Sequence, residues 1–136
     1  MDAQHEPFRV LVVEDDVSDA RMLAQLLRED GYDVEVVLDG ASAIGRLAHL
    51  PMPDLLIADY KLPHADGLAI ASYARSRDPS VEIVVVTGYP EIVTRLTAPA
   101  GAPVRAVFTK PLIYADLVVQ VEAARAARAA AKPPVA

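Results

Sequence analysis

The chain has 136 residues, 53% of them hydrophobic and 24% charged, with a formal net charge of -6 and a pI near 4.9. That length fits one domain able to bury its own core, and zero cysteines exclude a disulfide framework, a zinc–thiolate site and a cysteine nucleophile. The acidic balance argues against direct nucleic-acid binding, which needs a basic face, and no run approaches the roughly 18 apolar residues of a membrane helix. With a polar opening and no signal-peptide pattern, a cytoplasmic one-domain protein without membrane contact is expected.

Residues 8–13 form a compact β-branched run suited to a buried strand. The stretch 18–30 follows, with Ala20, Leu23, Ala24 and Leu27 spaced for one helix face, and Gly31 stands where a left-handed C-cap belongs. Residues 34–38 read as a second strand and 41–49 as a weaker helix containing Gly45. Residues 55–58 are the third strand, and Gly67–Arg77 is a third helix that stops at Asp78-Pro79. Four consecutive β-branched residues, 83–86, make the fourth strand. Residues 104–108 make the fifth, and Tyr114–Ala131 is a long final helix with Leu117, Val118, Val121 and Ala124 on one side. Between strands four and five, Pro90, Pro99, Gly101 and Pro103 leave room for a short helix over 91–96.

Five apolar strands interleaved with helices specify an α/β fold with a parallel sheet covered on both faces. The domain is expected to span residues 7–130, with 131–136, containing Lys132-Pro133-Pro134, as a disordered tail.

Ligands of an open α/β sheet bind beyond the carboxyl ends of its strands, so what each strand delivers there is the informative quantity. Strand one ends in Glu14-Asp15-Asp16, strand three in Asp59, strand four in Thr87-Gly88 and strand five in Lys110-Pro111. Acids from strands one and three repel when unpaired. A hard divalent cation relieves that repulsion, and magnesium commonly takes one or two carboxylates plus waters and phosphate oxygens. A lysine neutralises an acid and grips a phosphoryl oxygen as a point charge, and a threonine hydroxyl donates to another. Phosphoryl transfer asks for little beyond positioning and electrostatics, and aspartate is an established covalent nucleophile for it.

Val12-Val13-Glu14-Asp15-Asp16, Asp59 within Ile57-Ala58-Asp59-Tyr60-Lys61-Leu62-Pro63, Asp66-Gly67, Thr87-Gly88 and Lys110-Pro111 resemble the receiver domain of two-component response regulators. The match runs over essentially the whole chain, and Thr87-Gly88-Tyr89 is similar to a subgroup of stand-alone receivers. The resemblance implies a doubly wound five-stranded parallel sheet of flavodoxin-like order 2-1-3-4-5, with helices on both faces. It implies Asp59 as phosphoacceptor, Asp15 as a direct Mg2+ ligand, Glu14 as a ligand through water and the Lys61 backbone carbonyl as another. Thr87 and Lys110 would bind phosphoryl oxygens, and a cis peptide is expected at Lys110-Pro111. The partners implied are a histidine kinase or histidine phosphotransfer protein and a downstream protein target, with the chain a monomer or weak homodimer. Signalling would follow from altered partner binding or phosphorelay, through a population shift across residues 91–96, strand five and the last helix.

Three positions depart from or vary within the pattern. The family often places an aromatic residue on strand five, three positions before the lysine, whereas Val107 stands here with Phe108 next to it. Tyr89, two positions after Thr87, either shields an acyl phosphate or itself serves as the moving aromatic. Lys61 occupies the second variable position beside Asp59.

Plainer roles suit other residues. Asp16 is expected to cap the first helix. His64 lies near the pocket mouth, His5 and His49 have no partners in view, and Arg125, Arg128 and Lys132 suit a solvated face near a helix C-terminus. Rival functions lack their residues. A flavin carrier needs a Ser/Thr/Gly-rich phosphate loop where Glu14-Asp15-Asp16 stands, and a dinucleotide fold needs a Gly-x-Gly-x-x-Gly turn there. An aspartate-nucleophile phosphatase needs a second Asp two residues after the first, where Lys61 stands. A non-phosphorylated pseudo-receiver acting as an interaction module remains the alternative, with Val107 as its one support.

Overall fold

Parallel pairing of the apolar runs creates one sheet, and the alternation of side chains along each strand decides which helices cover which face. The computed structural model describes residues 7–62, 65–89, 91 and 104–131. Strands β1 (Arg9–Val13), β2 (Asp33–Val37), β3 (Leu55–Asp59), β4 (Glu82–Thr87) and β5 (Ala106–Thr109) form a parallel sheet of order β2-β1-β3-β4-β5. The described helices are α1 (Val17–Glu29), α2 (Gly40–Leu47), α3 (Gly67–Arg77) and α4 (Tyr114–Ala131).

Val10, Val12, Leu55, Ile57, Val84 and Val86 face Leu27 of α1 and Leu117 and Val121 of α4. Their strand neighbours Leu11, Val13, Leu56, Ala58, Ile83 and Val85 face Leu47 of α2 and Ile70 of α3. Two apolar layers of this kind account for the near-continuous hydrophobicity of the strands, and the expected doubly wound α/β fold is the one observed. None of the described helices is long and apolar enough to cross a membrane.

Helices α1, α2 and α3 begin alike. Asp16, Asp39 and Asp66 are N-caps whose carboxylates accept from the amides of Asp19, Ser42 and Ala69 at 2.9, 2.7 and 2.8 Å, meeting donors that a helix start leaves unpaired. Asp16 is the cap expected of it. Gly31 closes α1 at φ 93°, a left-handed conformation that glycine adopts without a Cβ penalty. Lys110-Pro111 is cis, as the family pattern implies, and Leu50-Pro51 is cis as well.

Several expectations are corrected. Strand five is shorter than 104–108 and later, at Ala106–Thr109. The parity of β5 turns Val107 toward the α2–α3 layer and Phe108 toward the α1–α4 layer, so Phe108 faces away from the position its neighbour leaves vacant. Arg128 is no solvated residue: its side chain is 12% exposed and pairs with Asp54 at 3.0 Å and Asp78 at 2.6 Å. Arg125 sits over the Tyr32 ring at 5.7 Å from its centroid. The short helix over 91–96 apart from Glu91, His5, His64, Lys132 and the 132–136 part of the expected tail lie outside the described residues.

Candidate functional site

Strand register lines up the residues that follow each strand. Val13 pairs with Ala58, so Glu14 and Asp59 leave adjacent strands at one height. Asp59 pairs with Val86 and Thr87 with Thr109, which carries Thr87 and Lys110 to the same edge. The ladder continues past the strands, with the Tyr60 amide donating to the Val86 carbonyl and the Lys110 amide to the Thr87 carbonyl, both at 2.8 Å. Strand order places β1 between β2 and β3, so the order in which successive strands are added to the parallel sheet reverses between β1 and β3, the switch point where ligands of open sheets bind.

At that point Glu14 and Asp59 are buried, Thr87 is fully buried and Asp15 is exposed. Carboxylate oxygens of Glu14, Asp15 and Asp59 lie within 4.8 Å of one another. Lys110 Nζ donates to Asp59 Oδ2 at 2.7 Å and to Glu14 Oε1 at 3.1 Å. The other Glu14 oxygen accepts from the Asp16 amide at 3.0 Å. Burial pushes the Glu14 carboxyl above its ordinary range, with the nearby Asp59 charge adding to the rise, against the pull of the Asp16 amide and Lys110. Burial opposes the Lys110 charge, but its bonds to Asp59 and Glu14 outweigh that and raise it. Three hard oxygen donors this close suit a hard divalent cation such as Mg2+.

Two loops flank the acids. The Lys61 amide approaches Asp59 Oδ1 at 3.4 Å, while its side chain turns to Tyr89. Thr87 Oγ1 accepts from the Tyr89 amide at 3.0 Å. Glu14, Asp15, Asp59 and Lys110 are thus in mutual contact or proximity, with Thr87 and Lys61 beside them. His49 is exposed on another part of the surface. Beneath the acids a cavity of about 590 Å³ opens between α1 and the start of α4, walled by Met22, Leu26, Leu112 and Tyr114.

One residue quoted only as part of a motif has a structural task here. A Cβ on Gly67 would lie 2.7 Å from the Asp59 carbonyl oxygen and 3.0 Å from Tyr60 Cα, and the Gly67 amide donates to the Tyr60 carbonyl at 2.7 Å. Glycine lets α3 start directly against the backbone at the end of β3. A glycine following a capping Asp just after the strand-end acid is the signal that marks it.

A flavodoxin-order sheet that gathers three carboxylates and one lysine at its switch point has the layout of a receiver. The chain belongs to the response regulator receiver domain family, whose model matches residues 10–122. It is 36% identical over 115 residues to the response regulator receiver protein CpdR of Brucella abortus, covering 84% of this chain and 93% of CpdR. It is 40% identical over 121 residues to the transcriptional regulatory protein PdtaR of Mycobacterium tuberculosis, covering 87% of this chain and 57% of PdtaR, so it spans little more than half of that relative. A CheY-like response regulator receiver domain protein from Methanospirillum hungatei superposes with a TM-score of 0.84 at 23% identity, covering 93% of this chain and 100% of that one.

Proposed function

We propose that residues 7–130 form a receiver that takes a phosphoryl group onto Asp59 from a phosphohistidine on a histidine kinase or histidine phosphotransfer protein, and signals by altered partner binding or phosphorelay. The observation that carries this reading is the Lys110 ammonium bridging the buried Asp59 and Glu14 inside the acidic cluster. Receiver domains are signalling domains rather than conventional enzymes, so the chemistry is limited to loading and unloading one side chain.

An Asp59 carboxylate oxygen attacks phosphorus, the P–N bond breaks, and its electron pair returns to the imidazole nitrogen of the donor. Lys110 then faces an acyl phosphate in place of a carboxylate, and its ammonium moves from neutralising Asp59 to neutralising a phosphoryl oxygen. Thr87, buried beside the site, offers its hydroxyl hydrogen to a second oxygen. Glu14, Asp15, Asp59 and the Lys61 carbonyl would hold Mg2+, which when bound neutralises the carboxylates and the charge on the transferring group. Hydrolysis reverses the loading, with water attacking phosphorus and the P–O bond to Asp59 breaking to release phosphate.

Incubation with a small-molecule phosphodonor, with and without Mg2+, followed by intact mass spectrometry, tests this. The expected result is a one-phosphoryl mass gain that needs Mg2+ and is absent in Asp59→Asn. No gain in the native chain, or an equal gain in the variant, overturns it.

A further inference from the structure

The loops that carry Asp59 and Thr87 are tied together by side chains as well as by the sheet. Lys61 Nζ donates to the Tyr89 hydroxyl at 3.1 Å and lies 5.3 Å from the ring centroid. Each partner is also held at its backbone: the Lys61 amide points at Asp59 Oδ1, and the Tyr89 amide donates to Thr87 Oγ1. A side-chain bridge therefore spans two groups of the phosphosite. Tyr89 is 41% exposed, so part of its surface is open to solvent.

The aromatic side chains of β5 do not offer such a link. Val107 replaces one, and Phe108 points into the opposite layer. Tyr89 is joined to Thr87 through its own amide and to the Asp59 loop through Lys61.

We propose, building on the phosphoacceptor reading of Asp59, that Lys61 and Tyr89 form a charge-operated switch. With Asp59 bare, the Lys61 ammonium holds the Tyr89 ring. With Asp59 loaded, the ammonium re-pairs with the phosphoryl group and releases the ring.

The direction follows from what competes for the ammonium. In the bare site Lys110 already occupies Asp59 Oδ2 and Glu14 Oε1, which leaves Lys61 a neutral phenol and a ring face. At an exposed position these hold a cation weakly. A phosphoryl group adds charge and strong acceptor oxygens two residues from Lys61, and charge-assisted hydrogen bonds to it are stronger than those to a neutral hydroxyl. A lysine stem whose backbone amide is 3.4 Å from Asp59 is long enough to make the exchange. The released ring is an amphipathic surface group of the kind that anchors protein partners, and the relocated ammonium stands over the acyl phosphate where attacking water must pass.

The test follows Tyr89 ring resonances, assigned by comparison with Tyr89→Phe, as Mg2+ and beryllium fluoride are added to the whole chain. Phosphoryl loss is timed by intact mass after a phosphodonor chase. The native chain is expected to show displaced Tyr89 ring signals on loading. Lys61→Met is expected to lose phosphoryl several-fold faster, and Lys61→Arg to keep the native lifetime within about twofold. Unmoved ring signals in a native chain that does gain the phosphoryl mass overturn the switch, as does a Lys61→Met lifetime equal to the native one. Where Lys61→Met fails to load, the ring signals of the native chain decide alone. A native chain that never gains the mass overturns the underlying reading of Asp59, and the switch with it.

Discussion

Lys110 Nζ lies 2.7 Å from Asp59 Oδ2 and 3.1 Å from Glu14 Oε1, so one cation holds two buried carboxylates delivered by different strands. Lys110→Met leaves both acids without that cation. In metal-free buffer at pH 7 the variant is expected to lose about 1–2 kcal/mol, less than for a fully buried pair because solvent reaches the ammonium. Urea unfolding measures it, and an unchanged midpoint contradicts the prediction. Most of the loss is expected to be recovered in Lys110→Met combined with Glu14→Gln.

Arg128 performs a comparable task at the other end of the sheet. Its guanidinium reaches Asp54, Asp78 and the Ser80 hydroxyl at 3.0, 2.6 and 2.7 Å, and Asp54 also accepts from the Arg9 amide at 2.9 Å. The group ties α4 to the residues that precede β3 and follow α3. Arg128→Ala removes one partner from two largely buried carboxylates and is expected to cost on the order of 3 kcal/mol. Thermal and urea unfolding both report it, and a loss under about 0.5 kcal/mol, typical of surface sites, rules it out.

The same cluster sets an acid limb. Burial alone would raise the Asp78 carboxyl, but Arg128 and the amide and hydroxyl of Ser80 outweigh it and hold it below its ordinary 3.8. A carboxyl depressed on folding contributes stability that is present above its unfolded value and is lost as pH falls through its folded one. Native stability is therefore expected to decline below about pH 4 partly through Asp78. In Asp78→Asn that part of the slope disappears, which unfolding midpoints measured from pH 6 to pH 2 resolve. An identical slope in both chains counts against it.

Gly67→Ala and Gly45→Ala make a matched pair. At Gly67 an added Cβ meets the Asp59 carbonyl at 2.7 Å, whereas at Gly45 nothing lies within 4 Å. The first is expected to destabilise by about 1–3 kcal/mol through overpacking and to slow phosphoryl uptake by displacing the Asp59 backbone. The second, inside α2, is expected to stabilise by roughly 0.5–1 kcal/mol. Equal effects at the two positions would defeat the close-contact argument.

Much of this was legible in the sequence because the site residues terminate strands, and strand ends announce themselves as acids, a hydroxyl or a lysine after an apolar run. Layer assignment was partly legible as well, since near-continuous apolar strands need two covers. What could not be read were contacts between distant segments. Arg128 and Asp54 stand 74 positions apart, and nothing in either neighbourhood marks the other. Lys61 and Tyr89 each occupy a variable position of the pattern, but that they touch depends on how two loops leave adjacent strands. The identity of Val107 was plain, whereas the direction of Phe108 required the register of β5 with β4.

The bond from the Tyr89 amide to Thr87 Oγ1 bears on how ready the pocket is for an anion. A hydroxyl carries one hydrogen, and here one of its lone pairs is already engaged in a fully buried setting. The rotor is thereby restricted, and its hydrogen stays uncommitted to that amide, available to an incoming oxygen. Whatever orientational entropy this costs is borne when the chain folds, so under the proposed phosphoacceptor role of Asp59 an arriving phosphoryl oxygen would meet a donor that does not have to be ordered first. Replacing Thr87 by valine would withdraw that hydrogen and strand the Tyr89 amide together, while serine would keep both bonds on a freer stem.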